Sequence, residues 1–229
     1  MGAATVSPRR SLKEIDHDVV IGPFRLGGRL RIPAAATALV IFAHGSGSSR
    51  FSPRNRAVAD ALNERGIATL LFDLLTPDEE DDRRNVFDIA LLAGRLIDVV
   101  QWVDAQEQLA GLRIGLFGAS TGAAAALVAA ARLGDRIGAV VSRGGRPDLA
   151  GTALPAVTAP TLLIVGGLDD VVIELNEQSY RQLTAPKALE IVPNATHLFP
   201  EPGAMEAVIA LAAQWFHGHL VAPTRGAAQ

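Results

Sequence analysis

Hydrophobic positions along this chain fall into short unbroken runs, separated by longer stretches in which apolar residues recur every three or four positions. A run of four to eight apolar residues between turn residues reads as a strand buried on both faces, and the three-to-four period reads as an amphipathic helix. The runs are "TALVIFA", "IATLLFD", "LRIGLFG", "IGAVVS", "PTLLIVG" and "ALEIVP", all expected as central strands covered on both sides. Ahead of them, "HDVVIG" and "LGGRLRIP" suit an antiparallel opening hairpin. Strands that alternate with helices predict βα units in a mostly parallel sheet, an α/β architecture.

Helix ends are marked by chemistry. Ser52 is placed to cap a helix with Pro53 in its first turn, and Gly66 stops it. Asn85 precedes a long amphipathic stretch through Val99 and Trp102, while Pro202 opens a last helix that carries Val208, Leu211, Trp215 and Phe216 inward. The charged cluster "DEEDDRR" at Asp78 to Arg84 reads as a solvated loop, with a mobile flap over a site as the alternative.

In open parallel sheets ligands bind beyond the carboxyl ends of the strands, so the residues just after each apolar run carry the information. After "TALVIFA" comes "HGSGSSR", after "LRIGLF" comes "GASTG", after "PTLLIV" comes "GGLDD", and after "ALEIVP" comes "NATHLF". A serine, an acid and a histidine stand at strand ends in the order Ser120, Asp169, His197.

Composition narrows the partner. The 229 residues are expected to form one domain over the whole chain, 1–229, with 49% hydrophobic residues to fill its core. A formal net charge of -3 supplies no basic field for nucleic acid or an anionic membrane. The expected partner is therefore a small molecule, with a homodimer left open. Cysteine is absent, which removes disulfides, thiolate metal sites and a cysteine nucleophile together. The opening "MGAATVSPRRSLKE" lacks the apolar core of a secretory signal, Val6 breaks the myristoylation pattern, and no run reaches membrane-span length, so a cytoplasmic location is expected.

Taken alone, Ser120 in Gly-x-Ser-x-Gly reads as readily as a helix cap. Its context favours a nucleophile: a strand enters, the alanine-rich helix "TGAAAALVAAA" leaves, and Gly118 and Gly122 let the two approach while a strained backbone projects the hydroxyl. His197 is expected as general base, because an imidazole titrating near neutrality can take the serine proton and return it to the leaving group. Asp169 is expected to orient the imidazole, with Asp170 and Asp148 as competitors. His44 is read as a structural residue, His17 as a strand residue, and His217 and His219 as solvated. The backbone amides of Ser46, or of Gly47 as second choice, are expected to join that of Thr121 as donors to an oxyanion. Arg50, Arg143 and Arg146 are candidates for a substrate carboxylate, against a plainer reading as turn and surface charges.

Together, "FAHGSGSSR", "GASTG", "GGLDDVV" and "NATHLF" resemble an α/β-hydrolase of the small, capless, dienelactone-hydrolase-like branch, over nearly the whole chain from about Val19 to Phe216. Dienelactone hydrolases proper use a cysteine where this chain has Ser120. The resemblance implies an eight-stranded sheet without a cap domain, no metal or organic cofactor, and cleavage of short-chain esters or lactones through an acyl-enzyme. Two alternatives remain: a silent binding or regulatory module on the same fold, and an acyltransferase or perhydrolase that uses the same residues with another acceptor.

Overall fold

A computed structural model describes residues 14–221; the amino-terminal segment with Val6 lies outside the described residues. Eight strands form one sheet in the order β1-β2-β4-β3-β5-β6-β7-β8. The hairpin is β1 (Ile15–Ile21) and β2 (Leu26–Ile32), paired antiparallel, and β2 pairs antiparallel with β4 (Ala68–Phe72). From there β3 (Ala38–Ala43), β5 (Arg113–Ala119), β6 (Ile137–Arg143), β7 (Thr161–Gly166) and β8 (Lys187–Val192) are all parallel. Every predicted strand is present.

The unbroken apolar runs are unbroken because helices cover both faces. On one face α1 (Pro53–Glu64) and α7 (Ala204–Phe216) pack Val58, Leu62, Val208 and Phe216 against Val40, Phe42, Phe117 and Val141. On the other, α4 (Ile89–Asp104) and α5 (Thr121–Leu133) bury Leu96, Val99, Val103 and a stripe of alanines against Leu39, Ile41, Leu70 and Leu116. Strand β8 departs from expectation: it closes the sheet, and Glu190 and Ile191 are exposed. An apolar run by itself does not separate an edge strand from a central one.

Two helix boundaries also differ. Ser52 caps α1 as expected, its hydroxyl accepting from Asn55 N–H at 3.3 Å. The long helix starts later than Asn85, with Asp88 as its cap. Between β4 and it, the charged cluster is ordered into two single turns, α2 (Pro77–Glu80) and α3 (Arg83–Val86). Thr76 and Glu79 cap α2 reciprocally, the Glu79 carboxylate pairs with Arg95, and Asn85 donates to Glu79 O at 2.9 Å. The last helix begins at Ala204 with Gly203 as cap, two residues beyond Pro202. Helix α6 (Asp170–Gln182) joins β7 to β8.

Candidate active site

Ser120 stands between β5 and α5 with φ 50° and ψ −122°, a conformation that glycine adopts freely and a serine adopts only under constraint, at a cost of about 1–3 kcal/mol. Three contacts hold it. Its carbonyl accepts from the Ala123 and Arg146 amides, each at 3.1 Å, and its own amide faces Arg143 O at 3.4 Å. The flanking glycines are steric necessities: a β-carbon on Gly118 would overlap Ala123, and one on Gly122 would overlap the carbonyls of Ala43 and His44. Although Ser120 occupies the N-cap position of α5, its hydroxyl makes no capping bond, so the plain cap reading has no support in the geometry.

The segment after β3 lies across this turn. Ser48 N–H donates to Gly45 O at 3.2 Å, closing a turn whose third residue, Gly47, has φ +66°, the position that type II turns reserve for glycine. Ser46 N–H donates to Thr121 Oγ1 at 3.1 Å, tying the turn to the first residue of α5. His44 is buried beneath it. Its Nε2 accepts from Leu74 N–H at 3.0 Å, which places the ring proton on Nδ1, 3.0 Å from Gly45 O. Burial pushes the His44 imidazole below its usual range, so the ring is neutral and acts as a strut between two loops.

Asp169 and His197 leave the ends of β7 and β8 on loops fastened to each other. Gly167 N–H donates to Val192 O at 2.8 Å and Leu168 N–H to Ala195 O at 2.9 Å. Thr196 is held by Glu201, with its hydroxyl 2.6 Å from Glu201 Oε1. Asp169 is the N-cap of α6 yet caps nothing; its Oδ2 instead lies 2.7 Å from His197 Nδ1. Asp170 starts the helix and is exposed, and Asp148 is occupied by Arg146 at 2.8 Å through both oxygens. Ser120, His197, Ser46 and Arg143 line one open cavity of about 220 Å³, together with Ala119 and Leu198.

The three candidate arginines separate. Arg50 is turned away from Ser120, its guanidinium paired with Asp73 and its amide donating to Asp73 Oδ1 at 2.8 Å, in a charged groove between β2 and α1. Arg146 is neutralised by Asp148. Neither is free to hold a carboxylate, because each already has one. Arg143 alone of the three reaches the cavity, joined there by Arg54 from the first turn of α1, a residue absent from the sequence reading. One signal was available: a cation in the first turn of a helix opposes the dipole. Of the other histidines, His17 lies in β1, His217 is exposed, and His219 lies tilted against Trp215 with ring centroids 4.4 Å apart, more covered than expected.

Comparison with known proteins agrees with this architecture. Residues 36–208 match the alpha/beta hydrolase domain family. A crystal structure described as dienelactone hydrolase from Anabaena variabilis is 55% identical, with a TM-score of 0.86 over 91% of this chain and 98% of that one. Est1E from Butyrivibrio proteoclasticus shares the fold at 18% identity, with a TM-score of 0.75 over 90% of this chain and 99% of that one. Two Mycobacterium tuberculosis proteins, from strains CDC 1551 and H37Rv and each named "Putative phosphoribosyl transferase", are 55% identical over 222 residues, 97% of this chain. The chain spans about half the length of these curated relatives, 50% of each. No described helix is long and apolar enough to cross a membrane. By the family match over residues 36–208 and its dienelactone-hydrolase-like architecture, the chain belongs to the alpha/beta hydrolase family.

Proposed function

We propose that this protein is a serine hydrolase that cleaves short-chain carboxylic esters or lactones through an acyl-enzyme on Ser120. The observation that carries the reading is the 2.7 Å contact between His197 Nδ1 and Asp169 Oδ2, made at the rim of the cavity that Ser120 lines. With Nδ1 committed to the carboxylate, Nε2 is the basic nitrogen. It takes the Ser120 proton as Oγ attacks the ester carbonyl, returns it to the departing alcohol, and then activates water to release the acid. Asp169 stabilises the imidazolium that forms in each step.

The tetrahedral oxygen is received by backbone amides. Thr121 N–H, at the first position of α5, has no acceptor inside the helix and lies at the positive end of its dipole. Ser46 N–H, bonded at rest to a neutral hydroxyl, is the second donor; an oxygen that gathers negative charge is the stronger acceptor. The small cavity supports short acyl groups.

The experiment is release of p-nitrophenol from acetyl to octanoyl esters by the wild type, Ser120→Ala and His197→Ala. Turnover that favours short chains and collapses in both variants is expected, together with covalent labelling of Ser120 by a fluorophosphonate. Labelling that fails, or full activity in Ser120→Ala, returns the protein to the silent-module reading. Product analysis with competing alcohols or peroxide separates hydrolysis from acyl transfer. The transferase activity in the names of the relatives belongs to chains twice as long and is a separate assay here.

A further inference from the structure

The cavity over Ser120 is lined by two guanidinium groups, Arg54 and Arg143, and by no carboxylate. Arg143 is only 5% exposed. Its Nη2 reaches a neutral acceptor, Asn55 Oδ1, at 3.3 Å, and the Phe199 ring lies 5.9 Å from its guanidinium carbon. Its Nε is buried without a partner, and so is the Nε of Arg54. Burial, and then the positive charge of Arg54, push the Arg143 guanidinium down to about 10, which leaves it cationic at neutral pH.

Buried cations without counter-charge are unfavourable and rare outside functional sites. Here one such cation, Arg143 at the end of β6, shares a small space with a second, partly exposed one, Arg54 from the first turn of α1, and the α1 N-terminus adds its own positive end. The ligand complementary to such a pair is an anion. A carboxylate pairs through its fork with one guanidinium and leaves the other uncompensated. A phosphate monoester carries a charge of about −1.5 to −2 on three terminal oxygens, enough for both.

We propose that Arg54 and Arg143 form a phosphate subsite, and that the ester or lactone substrate carries a phosphate monoester close to its reacting carbonyl. The substrate half of this statement rests on the reading of Ser120 as nucleophile; the subsite half does not. Calorimetric titration of the Ser120→Ala protein with inorganic phosphate, at fixed ionic strength, tests the subsite without turnover. Phosphate is expected to bind at least tenfold more tightly than acetate, and Arg143→Met and Arg54→Met are each expected to weaken it tenfold or more. Arg146→Met, which removes a cation already held by Asp148, leaves phosphate binding unchanged. Should Arg143→Met fail to fold, Arg54→Met, on a partly exposed helix end, carries the test. Phosphate binding that is absent, no tighter than acetate, or indifferent to both substitutions overturns the subsite. In the wild type, a p-nitrophenyl ester whose acyl chain ends in phosphate should exceed the hydroxyl-ended ester at least tenfold in kcat/KM. Fluorophosphonate labelling lost while phosphate binding persists overturns the nucleophile; phosphate binding lost while labelling persists overturns the subsite.

Discussion

Gly45 lies against Ser120 so closely that a β-carbon added to it would stand 2.9 Å from Ser120 Cβ and 3.1 Å from Ala119 O. The amide-bearing turn and the strained serine are thus a single packed unit. Gly45→Ala forces one to move. The expected cost is about 1–3 kcal/mol of folding stability, read by chemical denaturation. A displacement near 1 Å at the reacting groups also costs about 100-fold in ester turnover. Unchanged kinetics in a folded variant would show that the turn takes no part.

Asp169→Asn keeps the size of the side chain but removes the charge 2.7 Å from His197 Nδ1 that, in the proposed mechanism, holds the imidazolium and selects its tautomer. Ester kcat should fall about 10⁴-fold, the magnitude found for the equivalent change in a serine protease. Because His197 and Asp169 are both partly exposed, thermal stability should hardly change. Steady-state kinetics beside a melting curve separates the two effects.

His44 predicts a pH dependence of stability. Burial lowers its folded-state pKa below the unfolded value near 6.5. As pH falls through about 6.5 the unfolded chain takes up a proton that the native ring refuses, so stability declines with acid, by at most about 1.4 kcal/mol per pH unit until the folded pKa is reached. Above about 7 this contribution is flat. Comparing urea unfolding of the wild type and His44→Asn from pH 7.5 to 5 should show a steeper slope in the wild type, since burial of His219 contributes a slope of the same sign to both proteins.

Arg95 is 8% exposed on its side chain and has Glu79 as its close acid, with Asp98 at 3.8 Å and the Phe24 ring beneath it. Glu79→Gln strips that charge and weakens the cap of α2. A loss of about 1–3 kcal/mol is expected. The α2–α3 segment should also become cleavable by trypsin at Arg83 or Arg84, which limited proteolysis detects.

The strands were readable because each apolar run is long enough to cross the sheet and ends in turn chemistry, and the gathering of Ser120, Asp169 and His197 at one edge was readable because parallel strands deliver their ends there. Other features were hidden by long-range pairing. Arg50 and Arg143 look alike in sequence, each following a strand; only the fold gives Asp73 to the first and no acid to the second. Arg146 with Asp148 was a local pair that spacing already offered. The start of α4 was misplaced because Asp82, Asn85 and Asp88 are all competent caps; Asp82 and Asp88 were used, for α3 and α4. The exposure of β8 follows from its place at the sheet edge among the described residues, and the charged Glu190 inside its run was the signal available.

Fastening the Asp169 loop to the His197 loop has a consequence for the growing chain on the ribosome. Synthesis makes the Gly45 turn and Ser120 first, and a domain folds as a unit only when its later strands are available. Asp169 and His197 are made later, on loops joined by the bond from Leu168 N–H to Ala195 O, and take their places as β7 and β8 complete the sheet beside β6. Until they do, Ser120 lacks the imidazole that the proposed mechanism gives it, so under that reading an incomplete chain is chemically quiet.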